Sequence, residues 1–209
     1  MRIEPAVAVV GAIGVPAVKG ICQRGVLFGA IADGESELRG FAHAADTDAA
    51  IEVVRALGVD VRADEATVRI AGRGLRGLAE PDGPLDCGNA GTVLRLTAGL
   101  LAGQAGRFEL VGDESLSARP VRVDEPLRLM GAEVETTNGK PPVTIRGGKL
   151  RRIRYELPTP SAQVKSSILL AGLLAKEGPT TVVEPTPTRD HTERLLRLLG
   201  VKVSRSGQA

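Results

Sequence analysis

Tryptophan does not occur in this 209-residue chain, and three Phe and one Tyr are its only aromatic side chains. Any core it forms must be Leu, Val, Ile and Ala. The same scarcity leaves no aromatic platform between basic residues on which bases could stack. A net charge of +2 supplies no basic field for a polyanion either, so nucleic acid is not an expected partner. The two cysteines, Cys22 and Cys87, are too few for a disulfide framework and lack the spacing of zinc ligands. No apolar run reaches the length of a membrane span, and no signal-peptide pattern opens the chain. The expectations are a cytoplasmic location and no membrane contact. What is present, 43% hydrophobic and 25% charged residues, is the balance of a globular protein.

The stretch Leu85–Arg95, LDCGNAGTVLR, organises the rest. Gly88 and Gly91 bracket Asn89 and Ala90, and an apolar helical run follows at Val93, Leu94, Leu96, Leu100 and Leu101. Glycines allow the tight turn, and the first helical turn leaves N–H groups unpaired. A helix opened in this way is a site for an anion.

The chain reads as α/β, in a repeated order. A strand at 6–16 is followed by KGICQR, which leads into a helix through about Ala32, and by a strand near Glu37–Phe41. Asp46 reads as the cap of a second helix that stops at Gly58, with short strands at Val59–Arg62 and Thr67–Ile70. The cycle restarts with a strand at Leu85–Cys87, a helix at Gly91–Ala102 and a strand at Arg107–Val111. A helix at about Ser117–Met130 follows, with a kink or a break expected at Pro126, and then strands at Ala132–Glu135 and Val143–Arg146. The third pass has a strand at Arg154–Leu157, a helix at Ala162–Ala175, a strand at Thr180–Val183 and a helix at about Asp190–Leu199. Only Val201–Val203 remains for its closing strands. The second-helix stops Gly58, Gly131 and Gly200, and the first-helix glycines Gly29, Gly99 and Gly172, both recur about seventy residues apart. Three βαβαββ units are expected, about 17–75, 85–148 and 154–209, packed with pseudo-threefold symmetry into one domain whose third unit is incomplete.

Lys19-Gly20, the Gly88–Gly91 turn and Ser161-Ala162-Gln163 each open the first helix of a unit. Packed together, three positive helix ends would converge. Lys19, Arg24, Arg95, Arg119, Lys165 and Arg189 stand at or near helix starts, where the dipole does not favour a cation. Their recurrence points to a ligand carrying several negative charges.

GNAGT at Gly88–Thr92, GDESLSARP at Gly112–Pro120, SAQVKSS at Ser161–Ser167 and EPTPTRDHTERLL at Glu184–Leu196 resemble the 5-enolpyruvylshikimate-3-phosphate synthase family. The resemblance covers almost the whole chain. It implies transfer of the enolpyruvyl group of phosphoenolpyruvate to shikimate 3-phosphate in the shikimate pathway, without metal or cofactor. It places Lys19, Gly91, Arg119 and Gln163 beside phosphoenolpyruvate, where glyphosate also binds, with Lys19 catalytic. Gly20, Arg24, Ser161, Ala162, Gln163 and Arg189 would hold shikimate 3-phosphate, and Asn89, Thr92 and Arg95 would shape the loop between the two.

The match has departures. The family's PGDKS opening is PAVKG here, so a phosphate-contacting serine is Gly20. Family members are about twice this length, and their second domain carries acid/base Asp and Glu and further phosphoenolpyruvate-binding cations. That domain is an expected partner, and residues 1–16 would belong to it. The unfinished third unit leads to an expectation of an open sheet edge and self-association through it. Two other readings compete: a non-catalytic anion-binding module derived from the synthase, and a UDP-N-acetylglucosamine enolpyruvyl transferase, whose family has Lys-Asn where this chain has Lys19-Gly20.

Overall fold

The protein is known from a computed structural model that describes residues 2–4 and 18–205. Three sheets and seven helices make up the described residues. The expected strand at 6–16 lies outside them.

The first stretch comprises α1 (Lys19–Ala30), β2 (Asp33–Arg39), α2 (Ala45–Ala56), β3 (Asp60–Ala63) and β4 (Thr67–Arg73). Its strands form an antiparallel sheet in the order β2-β4-β3. The second comprises β5 (Leu85–Asp86), α3 (Gly91–Leu101), β6 (Arg107–Val111), α4 (Glu114–Ser117), α5 (Asp124–Met130), β7 (Glu133–Thr137) and β8 (Lys140–Arg146). Here the order is β5-β6-β8-β7, with β5 parallel to β6 and the remaining pairs antiparallel. The third comprises β9 (Arg154–Glu156), α6 (Ala162–Leu174), β10 (Thr180–Val183), α7 (His191–Leu198) and β11 (Val203–Ser204). β9 runs parallel to β10. β1 (Arg2–Ile3), from the far end of the chain, pairs antiparallel with both β10 and β11. The open edge was expected near Val201–Val203; there β11 pairs on one side with β1, residues that the sequence reading assigned to another domain, and stands at the edge of the four-stranded order β11-β1-β10-β9.

The second helices end alike. Gly58, Gly131 and Gly200 each follow the last turn with φ of 85°, 105° and 80°. The next residue's N–H then reaches back to close the turn: Val59 to the Val54 carbonyl (3.1 Å), Ala132 to Leu127 (3.1 Å), Val201 to Leu196 (2.9 Å). An arginine in each last turn donates Nε to the carbonyl six residues on. These bonds are Arg55 to Val61 (3.2 Å), Arg128 to Val134 (2.7 Å) and Arg197 to Val203 (2.8 Å). Each guanidinium thus sits at a negative helix end and ties the helix to the strand after it.

Two expected elements came out differently. Asp46 does not cap α2; the helix starts after Ala44, whose N–H donates to Thr47 Oγ1 (2.9 Å), and Asp46 lies inside the first turn. The single helix over 117–130 is two helices, α4 and α5, so the break expected at Pro126 falls ahead of it. Pro126 is the third residue of α5, where its missing N–H has no intrahelical partner to lose. The chain breaks at residues 118–123 instead, where Val121 N–H bonds to the Gly139 carbonyl (2.8 Å) and Arg122 takes φ of 64°.

α6 is the centre of the core: every residue from Val164 to Leu174 is buried. Its second half, Ile168–Leu174, is apolar on all sides and so must be enclosed. It packs along α3, whose Gly99 is what lets the two backbones approach. A Cβ at Gly99 would lie 2.3 Å from the Ser167 carbonyl oxygen, well inside contact distance. Gly99→Ala is expected to lower stability by about 1–3 kcal/mol, the usual cost of overpacking. At about 2–4 °C per kcal/mol for a protein of this size, calorimetry will show a drop of several degrees. Gly83→Ala, where a Cβ meets nothing within 4 Å, serves as control; equal midpoints for the two would contradict this account of the contact.

Candidate functional site

Four of the seven helices begin as the helix dipole favours, with carboxylates in the first turn: α2, α4, α5 and α7. The other three, α1, α3 and α6, have none. These are the three that open on the sequence-predicted site residues.

Hydrogen bonds lace those three starts together. Arg95 of α3 donates Nη1 to Gln163 Oε1 (2.7 Å) at the start of α6, and Gln163 Nε2 donates to Thr92 Oγ1 (3.0 Å). Arg24 of α1 reaches Ser166 Oγ of α6 (3.3 Å) and Thr192 Oγ1 of α7 (2.8 Å). Each helix also carries a side chain that bonds back to the carbonyl four residues earlier, where the helix begins. Arg24 Nη1 meets Gly20 O (2.7 Å), Arg95 Nη1 meets Gly91 O (3.1 Å) and Ser166 Oγ meets Ala162 O (2.6 Å). Gly91 leaves room for this: a Cβ there would lie 2.7 Å from Arg95 Nη1, which would have to shift.

Arg24 and Arg95 occupy unfavourable electrostatic positions. Burial pushes the Arg24 guanidinium down to about 10, against the favourable pull of Glu193, and nearby Arg189 lowers it further. Burial likewise pushes Arg95 down to about 10, helped by Arg122 and Arg119. Carbonyl acceptors hold Arg95 in place: its Nε and Nη2 donate to Val121 O (2.9 Å) and Pro120 O (2.6 Å).

The turn before α3 is built by a second network. Asp113 caps α4 through Leu116 N–H (2.7 Å), and its other oxygen accepts from Asn89 Nδ2 (2.7 Å). These bonds, led by the Leu116 N–H, hold the Asp113 carboxyl below the usual range. Arg119 donates to the Asn89 carbonyl (3.2 Å), to Asn89 Oδ1 and to Ser115 O (3.1 Å). Gly88 enters the turn with φ of 52°.

At the rim, Lys19 Nζ pairs with Asp46 Oδ2 at 2.5 Å, with its side chain 57% exposed. Ser161 caps α6 by accepting from Val164 N–H (3.3 Å), and Ala162 is the first helical residue. Arg189 is exposed and among the described residues has no hydrogen-bond or ion-pair partner. Gly20, half-buried, leaves open space on its side toward Arg24: a Cβ would meet Nη1 at 3.5 Å, an ordinary contact.

Lys165 does not belong to this group, contrary to the expectation from its position near a helix start. It is fully buried, 2.9 Å from Glu184 Oε2 and 2.7 Å from Glu193 Oε1. Sequence reasoning missed Asp46, Asp113, Ser166 and Thr192, which hold Lys19, Asn89 and Arg24. Ser166 had a readable signal, being four residues past a helix start as Arg24 is past Gly20 and Arg95 past Gly91. Thr192 had none. A cavity of about 300 Å³ lies between Arg122, Asp124, Glu125, Tyr155 and Val164. Its two carboxylates make it a poor place for an anion. No group of His, Cys, Asp and Glu among the described residues is arranged to hold a metal, and no described helix is long and apolar enough to cross a membrane.

Fold and site together define an α/β domain whose central helices open, without carboxylates, onto a cationic rim. The family model of EPSP synthase (3-phosphoshikimate 1-carboxyvinyltransferase) matches residues 3–209, and the chain belongs to that family. The 3-phosphoshikimate 1-carboxyvinyltransferase of Alkalilimnicola ehrlichii is 50% identical over 99% of this chain and 47% of its own length. That of Thermus thermophilus is 49% identical over 99% and 49%. A solved structure of the EPSP synthase of Acinetobacter baumannii superposes with a TM-score of 0.88 at 47% identity, covering 99% of this chain and 47% of that one. The chain thus spans about half the length of the relatives it matches.

The two histidines report on these surroundings in opposite senses. His43, bonded to Asp48 Oδ1 (2.6 Å) and the Asp64 carbonyl (2.9 Å), is held above the ordinary value, chiefly by the Asp48 hydrogen bond. His191 is held below it by burial first, then by Arg24 and Arg189. Stability from His43 is present below its unfolded value of 6.5 and is lost as pH rises through its folded value. For His191 the sign reverses: the unfolded ring binds its proton first, so stability is lost as pH falls below 6.5. A proton NMR titration is expected to show two imidazole midpoints on either side of that value. Coincident midpoints would contradict the placement of His191 among the arginines.

Proposed function

We propose that this chain is the shikimate 3-phosphate-binding part of an enolpyruvyl transferase that joins the enolpyruvyl group of phosphoenolpyruvate to the 5-hydroxyl of shikimate 3-phosphate. One observation carries the reading. Of seven described helices, only the three whose starts are tied together lack a carboxylate in the first turn, and a multiply charged anion supplies the missing charge. The names of the relatives give that anion its identity.

In this reading Gly20, Arg24, Ser161, Ala162, Gln163 and Arg189 hold shikimate 3-phosphate. Lys19, Gly91, Arg119 and Gln163 face phosphoenolpyruvate, with Asn89, Thr92 and Arg95 fixing the turn between. Gln163 sits at the junction because its amide already spans Arg95 and Thr92. Fixed donors suit a reaction in which charge develops as the tetrahedral adduct forms. The domain is built of three βαβαββ units. The repeated glycine stops, the repeated arginine-to-strand bonds and the matching sheet orders support this, with β1 standing where β8 stands in the second sheet. General acid/base catalysis contributes roughly 10²–10⁴-fold. In this reading that work falls to the second domain that the resemblance implies, and binding is what is proposed for these 209 residues.

Calorimetric titration with shikimate 3-phosphate tests the reading: saturable one-to-one binding is expected, and no binding would overturn it. Gly20→Ser adds a hydroxyl donor at a position with room for its Cβ. A hydrogen bond to a charged group is worth about 1.5–3 kcal/mol, so affinity is expected to rise roughly ten- to hundredfold. Unchanged affinity would mean that residue 20 does not face the phosphate.

A further inference from the structure

The buried ammonium of Lys165 is the one charged group of the three central helices that no substrate role uses. It rises from α6 and meets two carboxylates at the two ends of one segment. Glu184, at 2.9 Å, directly follows β10; Glu193, at 2.7 Å, lies in the first turn of α7. Lys165 and Glu193 have no exposed side-chain surface, and that of Glu184 is 10% exposed. Among the described residues neither Glu193 oxygen meets a donor at a hydrogen-bonding angle, so its contact with Lys165 is one of charge. Glu184 Oε1 also accepts from Thr188 N–H (3.2 Å) and from Thr188 Oγ1, folding the segment back on itself one residue before Arg189. Thr192, beside Glu193, carries the hydroxyl that receives Arg24 Nε.

We propose that Lys165 is a positioning residue. By holding Glu184 and Glu193 together it closes the loop between them and so sets where Arg189 and Thr192-bound Arg24 stand. A buried pair of charges is a poor source of stability, because desolvation offsets the attraction, but it is specific about geometry. That makes it suited to fixing a loop that otherwise has little holding it: Pro185, Thr186 and Pro187 are all exposed. Arg189 lies close enough to Arg24 to lower its proton affinity, so the two guanidinium groups are kept together against their repulsion. The benefit of that arrangement rests on the proposed anion site.

Two measurements test this. The first needs no ligand: amide hydrogen exchange of the whole chain, comparing Lys165→Met with the unaltered protein. Exchange across 186–193, including the Thr188 amide, is expected to quicken about tenfold or more while α3 stays protected, as for a local opening. Unchanged protection of that segment would overturn the proposal. Where Lys165→Met does not fold, Glu184→Gln, at the less buried end, carries the same comparison.

The second is a double-mutant cycle on shikimate 3-phosphate affinity with Glu184→Gln and Arg189→Ala. If Glu184 acts through Arg189, each single change weakens binding about tenfold and the pair together little more than either alone. Effects that simply multiply, or no loss from Glu184→Gln, would overturn it. Failure of the unaltered chain to bind would instead refute the site reading, and the exchange result alone then decides on the loop.

Discussion

Everything at the site depends on how closely α3 and α6 run together. Both helices are buried for nearly their whole length, and the glycine at position 99 lets one backbone rest on the carbonyl of Ser167 in the other. With the axes fixed, Gln163 at one helix start reaches both Arg95 and Thr92 at the other. Apolar packing in the middle of two helices is what positions polar groups at their ends. α1 joins the pair through Arg24 and Ser166.

The result is a local arrangement that folding alone would not favour. Positive helix ends carry guanidinium groups instead of carboxylates, and burial first, then neighbouring arginines, lower the proton affinity of Arg24 and Arg95. The protein holds them with carbonyls: Gly20, Gly91, Pro120 and Val121 all accept from Arg24 or Arg95. Carbonyls bind a cation firmly without neutralising it, so the positive charge remains for a ligand. Lys19 differs, being paired with Asp46 at the surface. In the proposed site an anion would compete with that carboxylate for it.

The fold was largely legible from the chain. Glycine stops at Gly58, Gly131 and Gly200 were readable because an abrupt helix end requires a left-handed residue, and all three adopt that conformation. Pro126 was misread because its effect depends on distance from the helix start, and that start shifted when 118–123 became a break. The pairing of β1 with β10 joins the two ends of the chain; local patterning carries no information about a contact so distant in sequence. At the site, residues at helix starts were legible and their supports were not. Lys165 shows why: position along a helix says nothing of a side chain's exposure when the helix is buried on every side.

The central claim is that three helix starts form one anion site. The most direct measurement is a proton–nitrogen NMR map of the chain as shikimate 3-phosphate is added. The account predicts that amide shifts concentrate at 19–24, 88–95, 161–166 and 189–192 and saturate together with one midpoint. Shifts confined to one helix start, or centred on the cavity beside Tyr155 and Glu125, would contradict it.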